Sequence, residues 1–110
     1  DIVAHPTGRL LGRRPGYAVD IEAVIREAKA TNTALEINSY PERMDLSDVN
    51  ARAAMEAGVM VAINTDSHAA EELENIKFGI WTARRAWLGP RNVLNARPLD
   101  ELLSWLRNRE

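Results

Sequence analysis

The sequence has 110 residues, 14 Lys plus Arg against 16 Asp plus Glu, and no cysteine. These figures exclude a disulfide framework and a thiolate metal site, so any metal must be held by His, Asp or Glu. A formal net charge of −2 argues against a wholesale nucleic-acid coat or a polybasic membrane surface. The longest apolar run covers only residues 59–63, far short of a membrane span. Nothing at the start marks the chain for export, which gives a cytoplasmic expectation.

In chain order, residues 1–5 are a short β-branched run stopped by Pro6. Residues 6–17 hold Gly8, Gly12, Pro15 and Gly16, too many breakers for a regular element. Ile21, Val24, Ile25 and Ala28 recur at 0, +3, +4 and +7, which predicts a helix over about 19–30 with Asp20 at its start. Residues 34–38 form a second strand, closed by the Ser39-Tyr40-Pro41 turn. Ser47 caps a helix reaching about residue 57, and Gly58 supplies the left-handed residue that stops it. The unbroken apolar run 59–63 fits a strand covered on both faces, as in a parallel sheet. Helical patterns resume over about 70–88, with a break expected near Gly79. Pro98 opens a last helix whose Leu99, Leu102, Leu103 and Leu106 make one apolar stripe. The order is that of an α/β protein: βαβ units, parallel strands and right-handed crossovers.

In such folds chemistry gathers beyond the C-terminal ends of the strands. The strand ends here are His5, residues 36–38 and residues 64–68, and both histidines of the chain fall among them. Asp66 and His68 stand two apart just past a buried strand, where a carboxylate and an imidazole can ligate Zn²⁺ or Mn²⁺. The alternative is that Asp66 caps the next helix and His68 lies in its first turn. His5 alone could equally be a hydrogen-bonded structural residue. Glu36 and Asn38 share one face of their strand; Glu36 could serve as a ligand, a general base or an ion-pair partner for a loop arginine, but a supporting role behind such a site is favoured for both. Arg9, Arg13 and Arg14 sit in an acid-free glycine loop, and guanidinium forks bind phosphate bidentately. From Lys77 to Arg97 there are five cations and no acid, with Trp81 and Trp87 interleaved. That resembles a stacking surface for single-stranded nucleic acid, but the helical spacing of Trp81, Trp87 and Leu88 favours core packing.

Three ordered motifs carry a family resemblance across essentially the whole chain: Ala4-His5-Pro6-Thr7-Gly8-Arg9-Leu10-Leu11-Gly12-Arg13-Arg14, Leu35-Glu36-Ile37-Asn38 and Thr65-Asp66-Ser67-His68. They resemble the C-terminal part of the PHP (polymerase and histidinol phosphatase) domain, in the form attached to bacterial and archaeal family X DNA polymerases. The resemblance implies the last strands of a distorted seven-stranded, TIM-like β/α barrel with up to three metal ions, Mn²⁺ or Zn²⁺, at its rim. It also implies metal-ligand roles for His5, Asp66 and His68. The activities implied are phosphoester hydrolysis and, in the polymerase group, 3′-5′ exonuclease or DNA 3′-end processing. The N-terminal barrel half, with the family's other ligands, and the polymerase domain are not in the sequence. Residues 1–110 are therefore expected to be one segment of a larger domain, with little activity alone and with DNA as partner of the intact protein. A stand-alone phosphomonoesterase and a non-catalytic scaffold are the alternatives. A sheet cut from a barrel is further expected to self-associate through the strands at Ile2 or at 59–63.

Overall fold

The computed structural model describes residues 1–108. Its elements are β1 (Ile2–Val3), α1 (Ile21–Thr31), β2 (Ala34–Asn38), α2 (Asp48–Glu56), β3 (Val61–Asn64), a 3₁₀ helix (Ala70–Asn75), α3 (Ile76–Arg85), 3₁₀ turns at Pro90–Asn92 and Leu94–Ala96, and α4 (Leu99–Arg107). The strands form one parallel sheet in the order β1-β2-β3, with Leu35 opposite Val61 and Ile37 opposite Ile63. The expected α/β class and parallel pairing are thus observed.

Local chemistry explains the helix boundaries. The Asp20 carboxylate accepts the Ala23 N–H at 3.1 Å, and Ser47 Oγ accepts the Asn50 N–H at 3.2 Å, each satisfying a donor that the first turn leaves unpaired. At the far ends Asn32 (φ 51°) and Gly58 (φ 83°) take the left-handed conformation that closes a helix. Helix α1 touches α2, and α2 touches α3, so the three make one layer over the sheet. Every residue of β2 is buried. Ile25, Ala28, Leu35, Ile37, Ala51, Ala54, Val61 and Ala83 belong to one continuous core.

Several expectations need correction. Strand β1 is two residues long, because His5 turns to φ 30° and takes the chain out of the sheet. Strand β3 starts at Val61, since the Val59 N–H is still engaged by the Ala54 carbonyl, 2.9 Å away, at the end of α2. Gly79 does not break its helix. It lies inside α3, where a Cβ would fall 2.1 Å from Ser39 Oγ and 2.6 Å from Ile63 Cγ2, so its role is close approach to the sheet. The irregularity falls instead at Asn75, where 3₁₀ passes into α. The leucine stripe of α4 leaves Leu99 and Leu103 exposed, and the helix contributes no fully buried residue.

The tryptophans are the largest correction. Core packing was the expectation, yet Trp81 is 51% exposed and Trp87 74%. Positions Gly79, Thr82, Ala83 and Ala86 take the inward face of α3 and its C-cap, and Trp81 is rotated away from it. Trp87 adopts φ 69° just past the helix, which carries its ring clear of the core.

The two sheet edges also differ. At β1, Ile2 and Val3 are 43% and 41% exposed. The outer edge of β3 is closed, contrary to expectation: Val61 bridges Val93, while the Asn95 amide accepts the Ile63 N–H at 3.1 Å and donates to the Ile63 carbonyl at 2.6 Å. Asn95 thus completes the ladder as a neighbouring strand would.

Candidate functional site

The parallel register places the C-terminal ends of all three strands at one rim, with Asn38 beside Asn64. Glu36, only 6% exposed, organises it. Its Oε1 accepts the His5 N–H at 2.9 Å and Asn38 Nδ2 at 3.2 Å, and its Oε2 accepts Asn64 Nδ2 at 2.8 Å. One buried carboxylate therefore ties the ends of all three strands together. A carboxylate accepting several donors tolerates burial that an unpaired one would not.

Asn38 extends the network. Its Nδ2 donates to Asp66 Oδ2 at 3.1 Å, and its Oδ1 accepts the Tyr40 N–H at 3.0 Å. Glu36 and Asn38 thus face the same way, as period-two geometry requires, and support the backbone of His5 and the side chain of Asp66 respectively. Both supported residues sit at positive φ, 30° for His5 and 54° for Asp66. For non-glycine residues that conformation costs on the order of 1–2 kcal/mol each and persists only where the surroundings impose it.

His68 is placed differently. It is exposed, and its backbone N–H donates to Glu72 Oε2 at 2.9 Å, as in a helix first turn. Among the described residues, no three His, Asp or Glu side chains converge as a set able to hold a metal ion. His5, Asp66 and His68 share the rim without forming a complete site between them.

A second buried carboxylate, Asp45, went unnoticed at the level of sequence. It is fully buried, and its Oδ2 accepts the Thr7 N–H at 3.0 Å and the Gly8 N–H at 2.9 Å. The Asp45 backbone pairs antiparallel with Asn38. Gly8 has φ 66°, and a Cβ there would fall onto the Tyr17 ring. Arg9, expected among the phosphate contacts, directs Nε to the Arg43 carbonyl at 3.0 Å and Nη2 to the Met44 carbonyl. Arg14 Nε donates to the Gly8 carbonyl at 3.2 Å. Arg13 keeps its guanidinium exposed, in an ion pair with Glu42 at 3.6 Å. The glycine loop is thereby clamped to residues 40–46.

Arg43 is a further rim residue that sequence reading missed. Its Nε lies 3.6 Å from Asp66 Oδ2, the side chains being 20% and 34% exposed, and its Nη1 is buried without a hydrogen-bond partner. The signal for Asn64 was available, since parallel pairing puts it level with Asn38. Nothing local marks Asp45 or Arg43, which meet the loop and Asp66 across long stretches of chain.

No family model matches the sequence. The whole chain is 48% identical, over 110 residues, to the DNA polymerase/3′-5′ exonuclease PolX of Bacillus subtilis (strain 168), of which it spans 19%. It is 34% identical over 115 residues to a probable phosphatase of Shewanella halifaxensis, covering 99% of this chain and 43% of the relative. A probable phosphatase of Syntrophotalea carbinolica is 29% identical over 111 residues, with 96% and 43% covered. The chain spans about a fifth of the polymerase relative and under half of the phosphatases. The motif resemblance is thus matched by similarity along the full sequence, to part of the DNA polymerase/3′-5′ exonuclease PolX and to part of the probable phosphatases.

Proposed function

We propose that the chain is the C-terminal portion of a PHP-type, metal-dependent phosphoesterase domain attached to a family X DNA polymerase. The intact protein then trims or processes DNA 3′ ends. The observation that supports this best is the rim itself. Two candidate ligands, His5 and Asp66, are held at strained positive φ by one buried network, Glu36 with Asn38. Strain maintained by a built polar network is characteristic of functional positions.

In this reading His5, Asp66 and His68 are a minority of the ligands for Mn²⁺ or Zn²⁺, the rest coming from an N-terminal barrel half. The described residues do not assemble a complete metal site, so the 110 residues alone are expected to hydrolyse little. Arg13 is the loop arginine best placed to meet phosphate, because its exposed pair with Glu42 is easily exchanged. Arg9 holds the loop in place. Strand β1 presents the open edge to which the missing half, or a second copy, would add.

The test is a 3′-end degradation assay with Mn²⁺ on the isolated chain and on the intact polymerase. Activity is expected only in the intact protein and is lost in His68→Ala. Robust turnover by the 110 residues, abolished by that substitution, would overturn the incomplete-site reading. The similarity to probable phosphatases sustains a second reading, phosphomonoester hydrolysis. Comparing a small phosphomonoester with a DNA 3′ end in the intact protein separates the two.

A further inference from the structure

The exposed tryptophans are absorbed neither by the core nor by the rim. Lys77, Ile80, Trp81 and Arg84 recur at 0, +3, +4 and +7 on α3, and all four are exposed. They form a solvent-facing stripe on a helix whose other face is buried. Phe78 supports Trp81 edge-on, with ring centroids 5.5 Å apart at 84°. One turn beyond Trp81, Arg85 reaches Asp48 of α2 at 3.3 Å. A turn along α2, the Arg52 guanidinium lies 5.8 Å from the Trp87 ring centroid. Both indoles are thus braced from one side while more than half of Trp81, and nearly three-quarters of Trp87, meets water.

The charges around them favour an anion. The nearby acids Asp48 and Glu56 are each paired with an arginine, Asp48 with Arg85 and Glu56 with Arg52. Lys77 leans on the Phe78 ring, and among the described residues Arg84 has no acidic partner. No acid occurs from Lys77 to Arg97. Flat aromatic faces beside cations not neutralised by an acid among the described residues meet the two requirements of a single strand: bases to stack and phosphates to neutralise. A lipid surface would call for a continuous aliphatic face, and Ile80 is the only aliphatic residue of the stripe.

We propose that the Trp81–Arg84–Trp87 flank of α3 is a binding platform for single-stranded nucleic acid, separate from the rim and independent of metal. It does not depend on the function proposed above. The experiment titrates a fluorescently labelled oligothymidylate with the 110-residue chain in low salt and EDTA, following anisotropy, with circular dichroism as the check on folding. Saturable binding is expected, weakened about tenfold by Trp81→Ala and by Trp87→Ala and largely restored by Trp81→Phe. Lys77 and Arg84, which have no acidic partner among the described residues, give a log–log salt slope of about −1.4, reduced by Arg84→Ala. Absence of binding in low salt would overturn the proposal. So would unchanged binding by folded Trp81→Ala and Trp87→Ala chains, or loss of binding on Arg13→Ala instead. Equal binding to anionic phospholipid vesicles, or a tryptophan-dependent dimer in sedimentation, would assign the surface to another occupant. EDTA takes any metal bound at the rim out of the measurement, so a failure here is distinguishable from a failure of the metal reading.

Discussion

At the end of β2, polar side chains are buried and engaged: Glu36 and Asp45 accept five hydrogen bonds shorter than 3.3 Å between them, from backbone and amide donors. On the flank of α3 the arrangement is inverted, with two indoles in solvent and small residues facing the sheet. Both regions depart from the simple rule of apolar inside and polar outside, and they do so for different reasons. Buried carboxylates hold backbone in strained positions that a purely apolar core cannot impose. The exposed indoles make only edge and cation–π contacts at the surface and leave most of their faces to solvent. Substitutions at the first region should therefore cost stability, while those at the second should leave it intact.

The largest expected effect lies beneath the rim. Leu35→Ala in the fully buried centre of the sheet should destabilise by about 3–4 kcal/mol, read from urea unfolding. Asp45→Ala should follow at about 2–3 kcal/mol, because it strands the Thr7 and Gly8 N–H groups. It should also expose residues 6–17 to limited proteolysis, whereas Leu35→Ala acts on the whole domain. If Asp45→Ala loses stability without loosening that loop, the clamp assigned to Asp45 is wrong. Gly79→Ala should cost about 1–2 kcal/mol, with the overpacking against Ser39 and Ile63 exceeding the gain in helix propensity. A stabilised variant would mean that α3 can move away from the sheet freely. At the low end, Trp87→Ala should change stability by less than about 0.5–1 kcal/mol, the size of an exposed cation–π contact. A loss several times larger would place Trp87 with the packed elements and dissolve the contrast.

Much of the scaffold was legible in the residues. Asp20, Ser47 and Gly58 announced helix ends because caps act through backbone groups two or three residues away. The unbroken apolar run ending at Ile63 announced a covered parallel strand. Glu36 and Asn38 could be put on one face by alternation alone. The rim was legible as a place, because parallel strands bring their C-terminal ends together. The disposition of the three candidate ligands around it was not.

The sequence by itself determined the α/β order, the helix caps, the rim and the kinship with PolX, since each is written in local periodicity or contiguous motifs. Tertiary structure alone decided that Asp45 clamps Gly8 across 37 positions and that Asn95 closes the edge of β3 across 32. It also decided that Gly79 serves close approach and that Trp81 and Trp87 face water. The physical reason is common to all four. Helical spacing fixes which residues share a face, but whether that face meets a core or solvent depends on segments brought near by chain closure, whose identity no local pattern records.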